Sequence, residues 1–118
     1  MTSFVFEEHH TFDWPVMVPV PTDGTTELHE FTGKFKQLPD DELFELDADE
    51  SGETALEIEI ARVRRVLIGW TGIKSAKGED VAFSEKALGK MLKYGPFRRA
   101  VIEAYFDATL RGGAHRKN

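Results

Sequence analysis

The stretch FSEKALGKMLKYGPFRRAVIEAYFDATLR, residues 83–111, decides the fold of this chain. Ser84 is placed to act as an N-cap, because its hydroxyl can accept from one of the first free amides of a helix. Phe83 and Leu88 then occupy the two positions of a hydrophobic staple. Leu88, Met91 and Leu92 line one side of this helix, which meets Gly95-Pro96. Glycine can take the left-handed position that closes a helix, and proline can open the next one. From Pro96 to Arg111, Phe97, Ala100, Val101, Ala104, Tyr105 and Ala108 follow helical spacing. Arg99, Glu103, Asp107 and Arg111 recur on the other side, and Gly112-Gly113 stops the run. Two helices joined at a tight corner are expected.

Working backwards, a longer helix is expected from Thr54 to Gly69, with Leu56, Ile60, Val63, Leu67 and Trp70 forming one apolar seam. Residues 70–82 read as a loop with a short hairpin, pinned by Trp70, Ile73 and Val81. Arg62, Arg64 and Arg65 follow a run of glutamates (Glu45, Glu50, Glu53, Glu57, Glu59), so salt bridges within or between subunits are favoured over a phosphate site. Leu38-Pro39-Asp40-Asp41-Glu42 has the proline and first-turn acids of a helix start, and that helix should end near Asp47. Residues 47–53 read as a solvated acidic link, since they lack the ligand spacing of a calcium loop.

The N-terminal third changes period. Trp14, Val16, Val18 and Val20 alternate with Pro15, Met17 and Pro19, as in a strand whose prolines confine it to an edge. Asp23-Gly24 is a preferred hairpin pair, and residues 27–38 alternate again through Phe31, Gly33 and Phe35. The expected architecture is α+β: an antiparallel β-hairpin (13–38) packed on about four helices (39–111). An N-terminal arm (1–12) precedes it and a flexible tail (112–118) follows, all in one domain.

The net charge of −6 conceals two unlike halves. Residues 1–60 carry 16 acids against Lys34 and Lys36, whereas residues 61–118 carry 5 acids against 13 Lys and Arg. Mutual neutralisation within one fold is the simplest outcome. Head-to-tail self-association, which builds rings or open spirals, is the sharper one. Nucleic-acid binding is disfavoured, because the acidic half would repel phosphates. With no cysteine, disulfides and thiolate chemistry are excluded. No apolar run is long enough to span a bilayer, and the first residues do not read as a secretory signal. No nucleotide-binding, nucleophile-elbow or paired-metal motif is present, and His9-His10 lacks a third ligand at useful spacing. A non-enzymatic protein without cofactor or metal is expected.

The ordered set FTGKFKQLP (31–39), VLIGWTGI (66–73), FSEKAL (83–88) and RRAVIEAY (98–105), closing on RKN (116–118), resembles tail assembly chaperones of long-tailed bacteriophages and prophages. The resemblance covers roughly residues 12–118. It implies a helper in the bacterial cytoplasm that binds the tape measure protein, assists tail tube polymerisation and is missing from the finished virion. Many such proteins also exist in a longer, frameshifted form, and Lys117-Asn118 is compatible with a slippery AAA-AAC codon pair. The matched residues include no catalytic or ligand-binding position. Surface candidates for partner contact are the arm with Phe4, Phe6 and Phe12, the strand with Trp14 and Met17, the loop with Trp70, Ile73 and Val81, and the cations Arg62 and Arg65. Two other readings remain open: a tail or head–tail joining subunit kept in the virion, and a small nucleic-acid-binding regulator.

Overall fold

Strand β1 (Thr11–Thr22) turns through Asp23-Gly24 into β2 (Thr25–Lys36), and the two pair antiparallel along their whole length. This computed structural model describes residues 2–44 and 54–112. The turn is closed by Gly24, whose φ of 78° is open to glycine at little cost. The chain continues through α1 (Asp40–Leu43), α2 (Ala55–Val66), β3 (Leu67–Thr71), α3 (Glu85–Met91) and α4 (Gly95–Thr109). The sheet order is β1-β2-β3, which leaves β1 at an edge, where Pro15 and Pro19 are tolerated. The fold is thus α+β, with an N-terminal hairpin, a third strand and four helices among the described residues.

Alternation along the hairpin sets its faces. Phe12, Trp14, Val16 and Val18 pair with Phe35, Gly33, Phe31 and His29, so this set shares one face of the sheet. Helices cover that face as far as Val16 and Phe31, both buried. A Cβ on Gly33 would lie 2.9 Å from the ring of Phe35, so this ring occupies the space above the glycine. Helix α4 lies beneath: Phe97 stacks on Phe31 with centroids 5.8 Å apart, while Tyr105 meets Phe35 at 6.1 Å. Eight residues of helix rise about 12 Å, and four residues of strand about 13 Å. Helix α4 therefore runs alongside the hairpin, its N-terminus toward the Asp23-Gly24 turn and its C-terminus toward the open ends. One continuous core joins Val16, Phe31 and Phe35 to Val63, Val66, Leu67, Leu88, Val101 and Tyr105.

The long helix expected to reach Gly69 ends at Val66, and residues 67–71 are instead strand β3, paired with β2. A bulge explains the difference. Gly69 pairs with Lys34 and Leu67 with Phe35, so Ile68 is the extra residue. Leu67 and Trp70 both turn inward across it, three residues apart, and imitate helical spacing.

Ser84 caps α3 as expected, its hydroxyl accepting from the Ala87 amide at 3.0 Å. Gly95 does not close that helix. Its φ is not positive, and it is the first residue of α4, after Tyr94 as N-cap. The corner is made instead by short-range bonds, Tyr94 N donating to Met91 O and Lys93 N to Lys90 O. Asp107, expected on the outer face of α4, is only 5% exposed. It sits on one flank of the apolar stripe and the buried Arg98 on the other, because α4 packs against both the hairpin and α2. Helix α1 opens after Pro39, with acids through its first turn. Expected to end near Asp47, it stops at Leu43, with Phe44 as its C-cap. The acidic link of 47–53 lies outside the described residues, as do residues 113–118 of the tail.

Candidate interaction surface

Three exposed regions stand out from the packed body, and each follows from where a buried pattern stops. The first is the distal hairpin. Helical cover ends near Val16, so residues 21–30 are all exposed, and Leu28 keeps 64% of its surface. The radius of gyration of 15.4 Å exceeds the roughly 13.5 Å expected of a compact chain this long, to which the hairpin and the N-terminal arm both contribute. Residues 17–30 carry Asp23, Glu27 and Glu30 and no lysine or arginine. Glu27 and His29 approach to 3.1 Å on one face.

The second region is the N-terminal arm. Phe4 and Phe6 are 87% and 75% exposed and border a cleft of about 470 Å³ lined by residues 4–10 and by Gln37, Leu38 and Pro39. The arm is tied down at one end. The Gln37 amide donates to His10 O at 2.8 Å, and the side chains of His9 and Glu42 meet at 3.3 Å. His9 has a φ of 55°, a left-handed turn that directs the chain into β1. Glu7 and Glu8 on the lining and Asp40 and Asp41 beside it make this end acidic.

The third is the corner between α3 and α4. Lys86, Lys90, Lys93 and Arg99 are exposed there and form no ion pair among the described residues, while Tyr94 stands 68% exposed. No acid occurs between residues 86 and 102. Arg98, in the same stretch, is turned inward and donates to Glu59 at 2.6 Å and to Leu92 O at 2.8 Å.

The residues singled out as partner contacts are divided among these regions and the core. Met17 is exposed on the hairpin. Phe12 and Trp14 are half-buried, Phe12 stacking against Phe35 at 5.6 Å. Trp70 belongs to β3 rather than to a loop and is 8% exposed. Its indole donates to Val81 O at 2.7 Å, and Val81 in turn donates to Ile73 O, so these three hold the 72–82 segment to the core. A β-bridge between Lys74 and Asp80 forms the short hairpin expected there. Arg62 lies over the Phe44 ring at 5.1 Å, and Arg65 donates to Glu42 O, so both clasp the chain around α1 to α2. The basic corner and the cleft were not singled out from sequence. An unbroken acid-free run from 86 to 102 was the available signal for the corner.

The titrating groups with displaced values are structural. Burial pushes the Tyr105 phenol up, against a lowering effect of its bond from the Leu38 amide. Bonds from the Thr54 amide and hydroxyl hold the Glu57 carboxyl down. No cluster of three metal-ligating side chains occurs among the described residues, and no helix there is long and apolar enough to cross a membrane. Comparison of the chain with protein-family models, with curated proteins and with solved structures finds no match.

Proposed function

We propose that this protein is a tail assembly chaperone of a long-tailed bacteriophage or prophage, a non-enzymatic holder of the tape measure protein that assists tail tube polymerisation. The observation that carries the reading is the ordered resemblance at 31–39, 66–73, 83–88 and 98–105. Those segments supply Phe31, Phe35, Leu67, Trp70, Leu88, Val101 and Tyr105 to a single core. The resemblance therefore falls on residues that specify a fold. Support also comes from exposed apolar side chains, Phe4, Phe6, Met17 and Leu28, on an arm and a ribbon that stand off the body. A holder of extended chains needs such surface. In this reading the protein works in the bacterial cytoplasm, self-associates head to tail and leaves before the virion is complete.

Co-expression with a phage tape measure protein tests the reading. The client should stay soluble and co-purify, and mass spectrometry of finished particles should lack this chain. A client equally soluble without it would overturn the proposal. Presence of the chain in stoichiometric amount in particles would favour a joining subunit instead. Nucleic-acid binding receives no support from the acid-lined cleft and hairpin, and absence of DNA binding at low salt is expected.

A further inference from the structure

The geometry points to one specific self-association contact: the basic α3–α4 corner of one copy, led by Tyr94, docks in the acidic cleft beneath the N-terminal arm of the next. This rests on the self-association proposed above and names its two surfaces. They lie at opposite ends of the same helix. The Tyr105 hydroxyl, near the C-terminus of α4, bonds the amide of Leu38, which lines the cleft. Tyr94, the N-cap, stands eleven residues away, about 17 Å along the axis.

Each surface has what the other lacks. The corner offers Lys90, Lys93 and Arg99 around an exposed aromatic ring. The cleft offers Glu8, and Glu7 at 3.3 Å from the His10 ring, around apolar walls that include Phe4, Phe6 and Pro39. Its volume of about 470 Å³ admits a tyrosine side chain. Tyrosine is favoured as an anchor because it buries a rigid ring at small entropic cost and retains a polar tip. Opposite charges around the anchor would guide approach and set orientation. Because the surfaces differ and lie at opposite ends of α4, a docked copy can leave one of each free, and assembly then continues as a ring or open chain.

Sedimentation velocity of the full chain, alone and over a concentration series, tests this. Wild type should assemble, and added salt should weaken it. K90E/K93E and E7K/E8K should each raise the apparent dissociation constant by about tenfold or more. An equimolar mixture of the two should assemble again, since an acidic corner now meets a basic cleft. Y94S should weaken assembly by a similar factor without altering the far-ultraviolet spectrum. Wild type that stays monomeric throughout overturns self-association and contact together, leaving client binding to be judged by the co-expression result. Wild type that assembles, with a mixture that does not recover or a folded Y94S variant unchanged, overturns this contact alone.

Discussion

The hydroxyl of Tyr105 accepts a hydrogen bond of 3.0 Å from the backbone amide of Leu38, 67 residues earlier in the chain. The bond joins the last helix to the segment leaving β2, and both residues are buried. Phe12 and Phe35 lie against the same ring, so hairpin, α4 and the approach to α1 meet there.

Tyr105→Phe leaves the Leu38 amide buried without that acceptor, which should cost about 1–3 kcal/mol in urea unfolding. The phenol also gives stability a direction in pH. Its folded value is raised chiefly by burial, with Asp40 adding to the rise. The contribution is therefore whole below the unfolded value near about pH 10 and is lost as pH climbs through the folded value. Unfolding series between neutral and strongly alkaline pH should show this decline in wild type and a smaller one in Y105F.

The indole of Trp70 is both wall and latch. It meets Phe83 edge-on at 4.8 Å and bonds Val81 O. Trp70→Phe removes the donor and part of the packing, for an expected loss of about 2–3 kcal/mol. Hydrogen exchange should locate the effect in residues 73–82. Since the chain has two tryptophans, the remaining fluorescence would report Trp14 alone.

Two ion pairs offer a comparison between burial and exposure. Arg98 is buried against Glu59, which keeps about a third of its side chain in water. Glu59→Ala strands a buried guanidinium and should cost about 2 kcal/mol, less than the loss for a fully buried pair. Arg64 meets Glu85 on the surface, so Arg64→Ala should change stability by less than about 0.5 kcal/mol. Similar losses in both variants, measured by chemical denaturation, would contradict this ordering.

Thr54 and Glu57 form a reciprocal cap at the start of α2. The Glu57 amide donates to the Thr54 hydroxyl oxygen at 3.1 Å, and the Thr54 amide donates to the Glu57 carboxylate at 2.9 Å. The bonds hold the carboxyl below its ordinary value. Its contribution is present above the unfolded value and fades as pH falls through the folded one. Glu57→Gln should flatten that acid-side loss in helicity, and Thr54→Ala should lower helicity at neutral pH, both read by circular dichroism.

Local rules were enough for the hairpin, its Asp-Gly turn and the Ser84 cap, because each rests on neighbours in sequence. They failed where distant pairing decides. The segment around Leu67 and Trp70 has helical spacing, yet β2 offers an open edge and a bulge brings both residues to the core face. Gly95 and Asp107 were misplaced because corner geometry and the second packing face of α4 depend on Met91 and α2. For the candidate surfaces, charge runs were legible, but not that the arm and the residues after β2 would enclose a cleft.

The prolines at 15 and 19 have a consequence beyond their own strand. A ribbon that stands away from its body exposes a backbone edge, and an exposed edge can template the addition of another strand. Pro21 adds a third missing donor along β1, and together the three interrupt that template. Along its β1 side, the ribbon can thus reach toward other polypeptides through its side chains while resisting runaway sheet growth with them.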